Sequence, residues 1–153
     1  MTVVSRQTWI DAPPQAVWRG VANFAEMPKW FYGVRAVRTD GVANDGHPKL
    51  LLKTLVTGRT YRERITAFEE GESLAYTLID TPFLVIRWSV QVRMRILGRG
   101  TLLSWRIEYE VDRKLVARLL GGLVLAPILG AILQASLKRL RCTVEARSER
   151  PSR

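Results

Sequence analysis

Two neighbouring stretches late in the chain alternate strictly between hydrophobic and polar positions. In the first, Ile86, Trp88, Val90, Val92, Met94 and Ile96 occupy one set of alternate positions, and Arg87, Ser89, Gln91, Arg93 and Arg95 the other. In the second, Leu103, Trp105, Ile107, Tyr109 and Val111 alternate with Ser104, Arg106, Glu108 and Glu110. A period of two predicts strands with one dry and one wet face, the habit of antiparallel sheets. Gly98-Arg99-Gly100 between them predicts a hairpin, with Arg facing Glu across the wet side. Five further strands are predicted at 3–10, 34–39, 50–57, 60–68 and 74–80. GVANDGHP (41–48) reads as a loop, Gly58 and Glu70-Gly71-Glu72 as turns, and Thr81-Pro82 as a break.

The period changes elsewhere. Residues 14–23, entered through Pro13-Pro14, predict a short helix with Val17, Val21 and Phe24 on one face and Trp18 beside them. A second helical turn holds Met27, Pro28, Trp30 and Phe31, with Gly33 as its exit. Near the C-terminus, Leu133, Leu137, Leu140 and Val144 fall on one stripe of a long helix, with Lys138, Arg141 and Glu145 opposite. Upstream, the nineteen residues 119–137 carry no charge. An all-round apolar helix needs cover on every side: a sheet, a loop, a bound apolar ligand, a second copy of the chain or a bilayer. The run matches a membrane span in length, and Lys138, Arg139 and Arg141 could flank one. The stripe that continues past residue 137 instead fits a helix docked on a core. Pro127 is expected to kink it.

Strand, two short helices, six strands and one long helix exclude βαβ alternation. The expected fold is α+β: a seven-stranded curved antiparallel sheet wrapped around the C-terminal helix. Residues 1–147 are expected to form one domain and 148–153 a disordered tail. A cavity is expected under the helix, among aromatic and aliphatic side chains.

Ile10-Asp11-Ala12-Pro13-Pro14-Gln15-Ala16-Val17-Trp18, Val21-Ala22-Asn23-Phe24 and Met27-Pro28-Lys29-Trp30 resemble the opening of the SRPBCC superfamily, the START-like helix-grip proteins. The polyketide cyclase/dehydrase branch is the nearest in look. Glu63-Arg64-Ile65, Leu74-Ala75-Tyr76 and Leu137-Lys138-Arg139-Leu140 extend the similarity over about residues 3–147. The resemblance implies a cavity between sheet and helix that takes hydrophobic small molecules such as lipids, sterols, polyketides or quinones. Some such proteins are cyclases or aromatases. It supplies no catalytic motif that maps onto these residues.

Composition narrows the partners. The 153 residues are 47% hydrophobic, enough for a core. The net charge of +10, from 24 Lys and Arg against 14 Asp and Glu, permits an anionic partner. Yet no basic run is interleaved with aromatics, so nucleic acid is not expected. A peripheral membrane contact that exchanges lipid would use the basic surface and apolar helix together. A single cysteine, Cys142, fits a reducing compartment. The N-terminus shows no signal peptide, so a cytoplasmic protein is expected.

Candidate chemistry is sparse. One histidine, His47, read as an exposed loop residue, excludes a His-rich metal site or Cys–His pair, and no cofactor is expected. Cys142 reads as a small packed filler. Gly98-Arg99-Gly100 and Gly121-Gly122 lack phosphate-loop spacing. Tyr61, Glu63, Ile65 and Ala67 share a strand face, so Glu63 is the one candidate acid-base group if that face is interior. Its plain alternative is an ion pair with Arg or contact with water. Expected ligand contacts are Trp30, Phe31, Tyr61, Tyr76, Trp88, Val90, Trp105, Ile128, Leu129 and Ile132. Binding of an apolar or amphipathic molecule is the leading expectation, because so few ionisable groups share the dry face. A polyketide cyclase or dehydrase is the alternative, a reaction that positioning can largely drive.

Overall fold

This computed structural model describes residues 1–80, 85–114 and 122–149. Seven strands form one antiparallel sheet: β1 (Thr2–Ile10), β2 (Val34–Val42), β3 (Pro48–Leu55), β4 (Thr60–Glu69), β5 (Ser73–Leu78), β6 (Val85–Leu97) and β7 (Gly100–Val111). Their order is β1-β7-β6-β5-β4-β3-β2, so successive hairpins carry the chain from β2 to β7, which then pairs with β1. The two edges are thus consecutive in sequence. Between them run α1 (Pro14–Ala22), a 3-10 turn (Phe24–Glu26) and α2 (Met27–Trp30). The long helix α3 (Gly122–Glu149) closes the concave side, packed on β1, α1 and α2.

The predicted stripe is the buried one. Leu133, Leu137, Leu140 and Val144 are all core residues. Ser136 lies in the same face without an orphaned hydroxyl: it donates to the Ile132 carbonyl (2.7 Å) and accepts from the Tyr32 amide (3.0 Å). Glu145, predicted on the wet side, accepts from the Asp11 amide at 3.0 Å and anchors the turn after β1. Gly20 marks where α1 meets α3. A Cβ there would lie 3.0 Å from a Val144 methyl and 3.3 Å from a Leu140 methyl, so glycine sets the helix spacing. No described helix is long and apolar enough to cross a membrane; residues 115–121, which include the first three of the apolar run, lie outside the described residues.

Several expectations need correction. β2 reaches Val42 and β3 starts at Pro48, so the 41–48 loop is a tight hairpin end. The strict alternation in β6 fails at both ends. Val85 pairs with Val111 and Arg87 with Glu110, leaving Ile86 as an extra, bulged residue that is 50% exposed. Ile96, 70% exposed, belongs to the outer end of the hairpin with β7. In β4, Ile65 pairs with Tyr76 and Ala67 with Ala75, so Thr66 is the extra residue. That bulge turns Ala67 outward and Phe68 inward, against an edge of Trp18. His47 is not an exposed loop residue: its ring stacks on Phe68 at 4.8 Å and its Nδ1 faces Asp45. Cys142 is exposed rather than packed. α3 continues through Ser148 and Glu149; the break at Thr81-Pro82 and residues 150–153 lie outside the described residues.

Candidate functional site

Under α3 the sheet encloses a cavity of about 360 Å³. Its lining draws on six strands, with Val34 contributed by β2. Tyr61 and Glu63 of β4, Tyr76 of β5, Trp88 and Val90 of β6, and Trp105 of β7 all line it, as do Lys53 and Leu55 of β3. Leu129 and Ile132 of α3 form the roof. Tyr32, Gly33, Val56 and Thr57 border it too, and Val56 is 66% exposed, so this side is the mouth. A backbone hydrogen bond from the Val56 amide to the Gly33 carbonyl (2.9 Å) ties the two mouth turns together. Phe31 lines the cavity as well. A larger groove of about 450 Å³ lies beside Asp40, His47, Lys49 and Arg64, but it is more open and edged by charges.

Eight of the ten predicted contacts therefore meet at one cavity. Trp30 does not line it; it is buried behind the wall, edge-on to Trp105 (5.7 Å) and Phe31 (5.5 Å). Ile128 points away and is 49% exposed, and the nearby Ala131 is exposed too. Trp88 and Trp105 face the dry side but have different partners: Trp88 packs on Tyr109 at 5.9 Å, and Trp105 on Trp30 and Phe31.

Glu63 is buried, 3% exposed, in a floor that is mostly aromatic and aliphatic. Lys53 Nζ approaches its Oε2 to 2.8 Å. The contact is an ion pair whose angle falls outside hydrogen-bond alignment, so Oε2 is buried without an aligned donor. The Lys53 ammonium also sits 4.8 Å from the centroid of the Tyr76 ring. Burial pushes the Tyr76 phenol well above its ordinary range, and the Glu63 charge adds to the rise, so the hydroxyl stays protonated at neutral pH. One cation, one anion and one phenol thus gather at a single spot of the floor.

Lys53 is the residue that sequence reasoning missed. Leu50, Leu51 and Leu52 place apolar side chains on both faces of β3, so period two cannot say which face is dry. The register supplies the answer: Leu51 lies opposite Glu63 and Lys53 opposite Tyr61, which puts Lys53 on the inward face. The alternation Leu51, Lys53, Leu55 was the available signal, and the inward Glu63 was the reason to look for a cation beside it.

The sequence matches the profile of a family described as polyketide cyclase/dehydrase and lipid transport over residues 1–145. A comparison with curated proteins finds no match. Among solved structures, TTHA0849 from Thermus thermophilus superposes with a TM-score of 0.77 at 18% identity, covering 97% of this chain and 100% of that one. A START superfamily protein from Mycobacterium smegmatis gives 0.69 at 19% identity, covering 96% and 97%. The di-domain ARO/CYC StfQ from the steffimycin biosynthetic pathway gives 0.76 at 14% identity over 95% of this chain, which spans about half (51%) of that one. At such identities the likeness shows a shared fold.

Proposed function

We propose, from the premise that this chain belongs to the polyketide cyclase/dehydrase and lipid transport family, that it binds a hydrophobic or amphipathic small molecule beneath α3. The observation that carries this reading is the 360 Å³ cavity itself, walled by aromatic and aliphatic side chains and open at Tyr32 and Val56. A well-packed core leaves few voids larger than a water molecule. Small-molecule sites are typically concave, mostly apolar and equipped with a few polar groups, and Lys53, Glu63 and Tyr76 are those groups here.

The test fills the cavity from its roof. N-phenyl-1-naphthylamine, a neutral apolar dye, is expected to bind the wild-type protein. Ile132→Trp should weaken that binding at least about tenfold, or about 1.4 kcal/mol, while shifting the thermal midpoint little. Ala131→Trp, one residue away on the exposed side of the helix, should leave binding unchanged. A wild-type protein that ignores the dye, or an Ile132→Trp protein that binds it equally well, contradicts the reading. Mass spectrometry of solvent extracts would then name what copurifies.

A second reading, a cyclase or dehydrase acting on the same ligand, draws on one observation: Glu63 lines the cavity with Tyr76 beside it. A shielded carboxylate near a protonated phenol is a usable acid-base pair. Lys53 weighs against it, since its ammonium neutralises the carboxylate at 2.8 Å. Glu63→Gln separates the two: it should abolish turnover even at saturating ligand if Glu63 moves protons, and change ligand affinity without abolishing turnover if it serves only to pair with Lys53 and recognise the ligand.

A further inference from the structure

The polar spot in the cavity floor is incomplete as it stands. Glu63 Oε2 is buried with Lys53 close by but out of hydrogen-bond alignment. Trp105, another wall of the same cavity, has its indole Nε1 buried without an acceptor. Buried polar groups left unpaired cost stability, and a ligand able to pair with them removes that cost on binding. The charges decide what kind of ligand. Lys53 and Glu63 cancel, so an incoming carboxylate, phosphate or ammonium would leave one uncompensated charge in a desolvated site, which is strongly unfavourable. A neutral group with both a donor and an acceptor leaves none.

Size narrows the class further. At about 30 Å³ for each water-sized group, a cavity of about 360 Å³ accommodates roughly a dozen non-hydrogen atoms. That is a bicyclic aromatic or a medium-length chain, with anything longer passing out between Tyr32 and Val56. We infer that the ligand carries a compact uncharged polar end, a hydroxyl or a hydroxyl beside a carbonyl, that donates to Glu63 and accepts from Lys53. This rests on the binding reading above and adds to it the chemistry of the recognised group. Tyr76, held as a phenol by its burial, lines the same cavity with its ring beneath the Lys53 ammonium.

Four probes of one shape test it: naphthalene, 2-naphthol, 2-naphthoate and 2-naphthylmethylammonium, each displacing N-phenyl-1-naphthylamine at pH 7. In the wild-type protein 2-naphthol should bind at least about tenfold tighter than the other three. Glu63→Gln leaves the ammonium alone, and 2-naphthoate should become the best ligand. Lys53→Met leaves the carboxylate alone, and 2-naphthylmethylammonium should become the best. The inference is overturned if 2-naphthol binds no tighter than naphthalene, or if the ranking is the same in both variants. Should either single variant fail to fold, Lys53→Met/Glu63→Leu removes both charges at once. It should still bind naphthalene, with 2-naphthol within about twofold of it; a surviving tenfold preference again overturns the inference. A wild-type protein that binds naphthalene without discriminating refutes only the recognised group, whereas one that binds neither dye nor naphthalene refutes the cavity reading beneath it.

Discussion

Lys53 and Glu63 pose the sharpest energetic question at the scale of single residues. Each is a charge removed from water, and their attraction at 2.8 Å offsets that desolvation only partly. Lys53→Met strands a carboxylate in an apolar cavity and is expected to cost about 3–5 kcal/mol, whereas Lys53→Met/Glu63→Leu should return to within about 1 kcal/mol of the wild type. Urea unfolding of the three proteins measures this. A single variant that costs under about 1 kcal/mol would mean that water entering by the mouth already solvates Glu63, as it does surface pairs. The inward placement of Glu63 follows from its alternation with Tyr61 and Ile65, and was legible in the sequence. Its partner was not, because an ion pair across two strands depends on register, and the leucines of β3 are compatible with either face.

Strand pairing holds the sheet together, and α3 ties β1 and the two short helices to one another. The stripe of α3 docks on the concave face, and its last turn reaches the short helical segment before β2 through Arg147, whose Nη1 donates to Glu26 Oε2 at 2.9 Å. That hydrogen bond is the chief reason the Glu26 carboxyl lies below its ordinary value of 4.5; burial works the other way, and the Arg147 and Lys29 charges add to the lowering. The unfolded chain therefore binds this proton more readily than the folded one. The stabilisation is fully present above about pH 4.5 and is lost as pH falls through the lowered folded value. Arg147→Ala should cost at most about 1 kcal/mol at pH 7, being a largely solvated pair, and nothing once Glu26 is protonated. Thermal midpoints of both proteins at pH 7 and near pH 3 check it: a gap that stays constant with pH would show that Arg147 acts by packing alone. Among the strands, the interiors of β6 and β7 follow their pattern, and the departures at Ile86 and Thr66 come from bulges, which insert a residue without disturbing composition.

For the whole molecule, the decisive arrangement is one sheet with one dry face and one helix to cover it. Removing the chain from residue 115 onward takes away Leu133, Leu137, Leu140 and Val144 together, along with the roof of the cavity. The remaining 1–114 fragment is expected to be insoluble, or compact with native-like secondary structure but without fixed packing, as far- and near-ultraviolet circular dichroism would show. A monomeric fragment with a sharp thermal transition would refute the dependence of the sheet on the helix. The cavity belongs to this scale as well. It exists because the aromatic side chains of the floor and the two aliphatic side chains of the roof do not fill the space between a curved sheet and a helix.

The linear pattern of this chain determines its architecture. Alternation over 86–96 and 103–111 specifies antiparallel strands, the four-residue stripe ending at Val144 specifies a docked helix, and their order admits a curled sheet closed by that helix. The same pattern places Tyr61, Glu63, Tyr76, Trp88, Val90 and Trp105 inward, because period two assigns a face once any neighbour is known to be buried. Tertiary structure decided the rest. Only the helix rotation turned Ile128 and Ala131 to solvent and Leu129 and Ile132 to the cavity, since an all-round apolar segment carries no facing information of its own. Only the bulges at Thr66 and Ile86 exchanged which residues face inward beyond them, and only the β3–β4 register brought Lys53 to Glu63. Each of these is a relation between segments distant along the chain, which packing geometry sets and local composition does not encode.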